Sequence, residues 1–183
     1  MHHKPVYILI LLGIIILDQW TKWYVFETLL RTQGTSLTLT SWLVSFQSLP
    51  ETLASYPDFQ VIKVTSFFNL VAVWNAGVSF GLFQQAGDLM PYILSVFAFC
   101  VGIFVLIWGF KSTHPVERLS MVLIAAGAFG NLWDRIRFKA VADFLDFHVH
   151  GYHWPAFNVA DASITLGAAL LIVYIICLDH QKD

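Results

Sequence analysis

The chain has 183 residues, of which 57% are hydrophobic and only 12% are charged. This composition is too apolar for an ordinary soluble domain and predicts a protein that folds in a membrane. The formal net charge is -2 without a run of either sign, which excludes the basic surface that a nucleic-acid-binding protein needs.

Four apolar segments have the length of roughly 20 residues that a helix needs to cross a bilayer. They are residues 6–24, 90–110, 118–135 and 159–178. An even number of spans predicts that both termini lie on the same side of the membrane. Lys and Arg usually gather in cytoplasmic loops, but the simple count here favours the side opposite the termini, so charge alone leaves the orientation open.

The remaining segments, residues 25–89 and 136–158, are expected outside the membrane. Residues 31–58 are rich in Ser and Thr, which favours an irregular loop. Residues 63–83 are rich in β-branched and aromatic side chains, and the turn-forming sequence Asn75-Ala76-Gly77 interrupts them. We therefore expect a small curved sheet on the membrane surface.

Polar residues inside apolar spans are candidates for chemistry, because an ionisable group in a membrane is expensive. Asp18 and Lys22 lie four residues apart on the first span, where an interfacial ion pair is the simpler interpretation. Asn131, Asp134 and Arg135 share one face at the end of the third span. A structural polar cluster that joins helices explains them as well as catalysis does.

Two aspartates, Asp143 and Asp161, flank an aromatic and histidine-rich stretch, and each has a structural explanation. If Asn158 caps the fourth span, Asp161 lies in the first helical turn, where free N–H groups and the helix dipole stabilise a carboxylate. Asp143 taken alone is typical of a solvated loop acid. Spacing therefore leaves both structural and catalytic roles open.

Three histidines in the same stretch raise the alternative of a metal site. His148 and His150 form an H-x-H pair that would share one face of a strand, and His153 follows. Histidines mixed with aromatic residues such as Trp154 are also typical of the membrane interface.

Several stretches taken together resemble the bacterial lipoprotein signal peptidases, also called signal peptidase II. They are NAGVSF (75–80), GNLWDRIRFKAVADFLDF (130–147) and WPAFNVADASI (154–164), preceded by DQWTK (18–22). The resemblance extends from the first span to the fourth, through essentially the whole chain.

This resemblance implies an all-α polytopic membrane protein with one membrane-embedded peptidase domain over residues 1–183. The family fold has four transmembrane helices with cytoplasmic termini, a small periplasmic β-cradle and a short periplasmic helix. The implied location is the bacterial inner membrane, with the active site near the periplasmic face. We expect a monomer in contact with membrane lipid.

The resemblance also implies the activity and its residues. Such enzymes cut the signal peptide from a prolipoprotein just before a diacylglyceryl-modified cysteine, without a metal or another cofactor. By position, the catalytic pair is Asp143 and Asp161. The supporting or substrate-binding residues are Asp18, Lys22, Asn75, Gly77, Asn131, Asp134, Arg135 and Asn158.

The implied chemistry follows from two carboxylates in a poorly solvated place. Held close together they cannot both ionise, so the pair keeps a single proton and offers a base and an acid. Because a helix N-terminus favours an anion, we predict that Asp161 is the ionised partner and Asp143 the protonated one. Asn75 is expected to hold the exposed backbone of the substrate.

Three features depart from the family pattern. Lys139 stands where the family usually has glycine, the turn reads GVSF rather than GAAF, and residues 31–58 form a longer segment than expected. None of these removes a carboxylate.

Two other classes of function remain as alternatives. A proton-coupled transporter would use Asp18, Asp134, Asp143 and Asp161 as a relay, although the absence of repeat symmetry in the sequence disfavours it. A metal-dependent membrane hydrolase would instead use the three histidines.

Overall fold

The structure is a computed structural model that describes residues 4–54, 58–77 and 89–179. Its contacts divide the chain into two compact units. Met1–Asp18, Phe97–Asn131 and Val159–Asp183 form the first, which we call the helical unit, and Gln19–Val96 and Leu132–Asn158 form the second, the sheet unit. That residues 1–183 act as one peptidase domain stays a prediction.

Six α-helices lie within the described residues. They are α1 (Lys4–Trp23), α2 (Leu39–Val44), α3 (Leu49–Ala54), α4 (Met90–Lys111), α5 (Pro115–Phe138) and α6 (Val159–Asp179). Pro115 is the first residue of α5, a position at which the missing N–H of proline costs no helical hydrogen bond.

In the described part of the chain, three helical segments are long and apolar enough to cross a membrane: Pro5–Leu30, Met90–Lys111 and Val159–Cys177. They correspond to three of the four predicted spans. The other prediction, residues 118–135, falls inside α5, whose first turn contains Glu117 and whose last turn contains two arginines. A helix is therefore confirmed there, while its passage through the membrane stays a prediction.

The first long helix continues past its predicted end at residue 24 as a π-helix, Tyr24–Leu30. The N–H of Arg31 bonds the carbonyl of Phe26 at 3.1 Å. The two residues are five apart in the chain, and this separation defines a π-helix. Glu27 is buried here and accepts two bonds from the Arg31 guanidinium, at 2.7 and 2.8 Å. A buried ion pair thus closes the end of the helix.

Four antiparallel strands form one sheet in the order β1-β2-β3-β4. They are β1 (Ile62–Lys63), β2 (Phe68–Asn75), β3 (Val141–Val149) and β4 (Tyr152–His153). Asp143 lies opposite Val73, just beyond an irregularity in the pairing after Leu70. The predicted sheet is confirmed for β1 and β2, whereas the run expected after Gly77 lies outside the described residues.

The prediction of an irregular loop over residues 31–58 was wrong for α2 and α3, because its hydroxyl residues cap short helices. The Thr38 hydroxyl accepts the Ser41 N–H at 3.2 Å. At α3, Glu51 accepts the Ser48 N–H at 2.7 Å and its own N–H reaches the Ser48 hydroxyl at 3.4 Å. These bonds from Ser48, the backbone one foremost, lower the pKa of the Glu51 carboxyl below its ordinary value.

Each unit has its own core. In the sheet unit, Trp42 from α2 packs on Phe138 with ring centroids 4.9 Å apart, and Phe26 packs on Trp74 at 4.8 Å. In the helical unit, the core consists of Val105, Met121 and Ala125, with these residues packed around it: Leu11, Val101, Leu106, Ile124, Phe129 and Leu171.

Candidate active site

Asp143 is buried on β3, not solvated in a loop as its sequence context suggested, and only 1% of its surface is exposed. Its Oδ1 accepts the amide N–H of Asn158 at 2.7 Å, and its Oδ2 accepts that of Asn75 at 3.1 Å. One donor on each oxygen fixes the plane of the carboxylate. The structure therefore brings Asn75, Asn158 and Asp143 together, and their role as site residues stays a prediction.

Asn75 ends β2 and also organises the turn that follows. Its Oδ1 accepts the N–H of Gly77 at 3.2 Å, while the carbonyl of Gly77 accepts a bond from Arg135 at 3.3 Å. Asn75 thus orients Asp143 and the turn at the same time. The expected contact between Asn75 and a substrate backbone stays a prediction.

Asp161 lies in the first turn of α6, as predicted, and is partly buried. Its Oδ1 accepts the amide N–H of Asn131 at 2.7 Å. Asp18, which is completely buried, accepts the N–H of Ala160 at 2.9 Å and so satisfies one of the free donors of the same helix end. A Cβ at Gly130 would stand 2.8 Å from the Asp18 carboxylate, so this approach requires glycine.

A second group of polar side chains lies buried in the sheet unit around Asp134. Lys22 pairs with Asp134 Oδ2 at 2.7 Å, Arg137 with Oδ1 at 3.1 Å, and Gln19 donates to Oδ1 at 2.8 Å. The side chain of the neighbouring Arg135 donates to the carbonyl of Gly77.

Sequence reasoning missed Gln19 and Arg137 as members of this group. Arg137 follows Asp134 by three residues, the spacing at which two side chains meet on a helix, so that signal was available. The pairing of Lys22 with Asp134 joins residues far apart in the chain, and no spacing rule predicts it.

That Asn131, Asp134 and Arg135 share one polar face stays a prediction, and each has a partner among the described residues. Asn131 bonds Asp161, Asp134 bonds Lys22, and Arg135 bonds the Gly77 carbonyl. Asp143 belongs to the sheet unit and Asp161 to the helical unit. The closeness of these two carboxylates stays a prediction.

The three histidines do not form the predicted H-x-H pair. His150 follows the last residue of β3 and has a φ of 49°, in the left-handed region, so it belongs to the turn and not to the strand. His153 Nδ1 instead contacts the Asp146 carboxylate at 2.8 Å. Across residues 4–54, 58–77 and 89–179, no three His, Cys, Asp or Glu side chains form a group able to hold a metal ion.

Comparison with known protein families identifies the family of this chain. The family model described as signal peptidase (SPase) II matches residues 10–177, nearly the whole length. The chain belongs to the signal peptidase II family. It is therefore a bacterial membrane peptidase, consistent with its three long apolar helices.

Curated relatives of this signal peptidase II chain support the assignment. A lipoprotein signal peptidase of Alteromonas mediterranea is 36% identical over 160 residues, which cover 86% of this chain and 73% of the relative. One from Pelagibacter ubique is 39% identical over 121 residues, 66% of this chain and 72% of the relative. One from Cupriavidus necator is 47% identical over 113 residues, 60% of this chain and 63% of the relative.

Solved structures show the same fold. A bacterial membrane enzyme solved by the in meso method at 2.3 Å resolution has a TM-score of 0.73 and 23% identity, over 98% of this chain and 93% of that one. A second, solved at 1.9 Å, has a TM-score of 0.69 and 25% identity, over 96% and 97% of the two chains. The helices and the small antiparallel sheet thus form the fold of a known membrane enzyme.

Proposed function

We propose that this signal peptidase II is an aspartic endopeptidase that acts on diacylglyceryl-modified prolipoproteins. It removes the signal peptide by cutting just before the lipidated cysteine. The family match and the names of the relatives support the substrate class. The orientation of Asp143 by two amides is the observation that carries the mechanism.

Asp143 and Asp161 are the proposed catalytic pair. Asp134 is equally buried but is bound by Lys22 and Arg137, which is typical of a structural carboxylate. Asp143 receives an amide N–H on each oxygen, an arrangement that sets its direction. Such preorganisation is what a group needs when it must transfer a proton along a defined line.

The chain connection between the two aspartates supports their pairing. The amide of Asn158 donates to Asp143, and Asn158 lies three residues before Asp161. Three residues of fully extended chain span at most about 11 Å, so the backbone holds Asp161 within that distance of the Asn158 Cα. Asn158 therefore contacts Asp143 by a hydrogen bond and precedes Asp161 by three residues along the chain.

The proposed reaction uses water and one shared proton. The ionised carboxylate, assigned to Asp161, takes a proton from water as the water oxygen bonds the scissile carbonyl carbon. Protonated Asp143 donates its proton to the carbonyl oxygen. When the tetrahedral intermediate collapses, the C–N bond breaks and the leaving amine takes the proton that Asp161 received, while ionised Asp143 takes back the proton of one hydroxyl as the carbonyl re-forms.

Membrane location explains why the enzyme suits a lipidated substrate. Each buried CH₂ of a diacylglyceryl group contributes about 0.8 kcal/mol to membrane attachment, so the modified cysteine stays at the interface. An embedded enzyme meets the substrate there without extracting it. We propose that four helices cross the inner membrane and that both termini lie in the cytoplasm. The sheet would then be a periplasmic cradle, and the protein would act as a monomer.

Cleavage of a diacylglyceryl-modified prolipoprotein by the purified protein tests the proposal, with the unmodified substrate as control. Asp143→Asn and Asp161→Asn should each lower kcat by at least about 10³-fold, because each removes a proton-transfer group. Asp143→Asn should retain more activity than Asp161→Asn if Asp161 is the base.

Asp146→Asn is the matched control, since Asp146 is also buried and lies on the same strand. It should keep most of the wild-type rate. Wild-type activity should also survive a chelator. A protein that cleaves both substrates equally, or that remains active without either catalytic aspartate, would contradict the proposal.

A further inference from the structure

Arg137, near the end of α5, has no accessible side-chain surface. Charged side chains are almost never buried so fully unless they are paired. Its Nη2 donates to Gln19 at 2.6 Å and to Asp134 at 3.1 Å, its Nη1 donates to the Trp42 carbonyl, and its guanidinium lies 4.4 Å from the centre of the Phe138 ring. The residue thus connects α1, α2 and α5 at one point.

On one side, Arg137 is fixed to the segment of residues 31–58. The main-chain carbonyl of Arg137 accepts the N–H of Gln47 at 2.8 Å, and the carbonyl of Phe138 accepts the Thr52 hydroxyl at 2.9 Å. Trp42 packs in the aromatic core with only 1% of its surface exposed. Helices α2 and α3 in this segment therefore belong to the packed part of the sheet unit.

On the other side, Arg137 reaches the strand that contains Asp143. Asp134 Oδ1 accepts the bond from Arg137, while its Oδ2 accepts the N–H of Ala142 at 3.3 Å and pairs with Lys22. Ala142 immediately precedes Asp143 and lies opposite Trp74 in the sheet. Asp134 therefore links the guanidinium to the backbone next to the catalytic carboxylate.

We infer that Arg137 is a positioning residue, which holds Asp134 against Ala142 and thereby fixes the backbone of Asp143. Helices α2 and α3, whose residues bond Arg137 and Phe138, help to hold Arg137 in place. This inference rests on the proposed function, since it concerns the same carboxylate. The inference gives α2 and α3 a role in holding Arg137, whereas the sequence predicted only a long irregular loop there.

Loss of the guanidinium should shift Asp134. Without Arg137, Asp134 Oδ1 keeps Gln19 as a neutral donor and the carboxylate turns towards Lys22, its other cation. The long bond to Ala142 is the weakest of the Asp134 contacts and the first to break. A displacement of about 1 Å at a reacting group lowers a rate by about 10²-fold.

Arg137→Met and Arg137→Lys in the full-length protein test the inference with the lipidated substrate. We expect Arg137→Met to lower kcat by about 10²-fold with KM within about threefold of wild type, since the completely buried Arg137 side chain presents no surface to a substrate. Arg137→Lys keeps a positive charge near Asp134 but lacks the planar guanidinium fork with its fixed set of N–H donors. Its kcat should therefore lie between those of the wild type and Arg137→Met.

Arg118→Met is the matched control, because Arg118 lies on the same helix and bonds the carbonyls of Gly109 and Ser112. It should lower the melting temperature without changing kcat for the folded fraction. Each rate is divided by the folded fraction, measured by thermal unfolding in the same detergent.

The outcomes separate the two hypotheses. An inactive wild-type protein would overturn the proposed function. An active wild type with Arg137→Met at the same kcat per folded molecule would overturn this inference alone. If Arg137→Met does not fold, Arg137→Lys decides, because wild-type kcat in that variant would show that the fork geometry does not position Asp143.

Discussion

At the scale of single residues, the amide contacts of Asp143 carry the clearest expectation. Asn158→Ala removes the 2.7 Å bond to Oδ1 and should lower kcat by about 10²-fold, because the carboxylate then loses one of the donors that orient it. Asn69→Ala is the matched control, since Asn69 donates an equivalent 2.8 Å bond to Asp146 in the same sheet. Equal kcat losses in the two variants, per folded molecule, would show that the Asn158 bond serves only stability.

Lys139 adopts a backbone conformation that favours glycine. Its φ is 57°, in the left-handed region where a side chain costs about 1 kcal/mol. Its ammonium bonds the Ile136 carbonyl at 2.8 Å and lies 5.0 Å from the centre of the Tyr92 ring. These contacts offset part of the strain.

Substitution at this position should follow backbone preference. Lys139→Gly should leave the free energy of unfolding within about 1 kcal/mol of wild type, because relief of strain opposes the greater entropy of unfolded glycine. Lys139→Val should be less stable than Lys139→Gly by more than about 1 kcal/mol, because a β-branched residue is strained at positive φ. Thermal unfolding in detergent measures both, and a valine variant as stable as the glycine variant would refute the strain.

Sequence reasoning recovered the site only where local rules apply. Asp161 in a first helical turn follows from its position after Asn158, and the structure confirms it. The ion pair of Lys22 with Asp134, and the burial of Asp143, depend on which segments pack together. Spacing does not contain that information.

At the scale of elements, long helices were predictable and short ones were not. Apolar length alone indicated α1, α4 and α6, because a span is a strong signal. The strand β3 begins with four buried residues, so it lacks the alternation that identifies a half-exposed strand. The caps of α2 and α3 use the same Ser and Thr residues that also favour loops.

The cap of α3 predicts a local dependence on pH. Bonds from Ser48 lower the pKa of Glu51 in the folded state below its ordinary value of 4.5. The stabilisation is therefore complete above that value and is lost as the pH falls through the lower, folded pKa. Hydrogen exchange of the α3 amides, corrected for intrinsic rates, should show protection that decreases on acidification.

Two comparisons make this measurement specific. Glu51→Gln should show weaker protection of α3 with little dependence on pH, because glutamine does not titrate. The helix α2 is an internal control, since its cap is the Thr38 hydroxyl, which has no charge to lose. Parallel loss of protection in α2 and α3 would indicate global unfolding and refute the local mechanism.

At the scale of the whole molecule, three basic residues in the simple orientation count are paired with acids. Lys22 and Arg137 are buried with Asp134, and Arg31 is paired with Glu27. These three cations belong to the group that the simple count assigned to the side opposite the termini. Paired, buried cations serve the fold, so they are poor indicators of which loops stay in the cytoplasm.

The proposed topology can be tested with single cysteines in a protein whose own two, Cys100 and Cys177, are replaced by alanine. Tyr152→Cys reports on the turn-side end of the sheet, where Tyr152 is 85% exposed, and Thr113→Cys reports on the exposed connection between α4 and α5. A membrane-impermeant maleimide applied to cells with a permeabilised outer membrane should label Tyr152→Cys. It should label Thr113→Cys only after the inner membrane is opened.

Each possible labelling pattern has a definite meaning. If α5 crosses the bilayer, the two positions lie on opposite sides, because Thr113 precedes α5 and Tyr152 follows it. Labelling of both positions from the same side would show that α5 does not cross, despite its 24 helical residues. Labelling of Thr113→Cys alone in unopened cells would keep four spans but invert the protein, and the sheet, together with Asp143, would then face the cytoplasm.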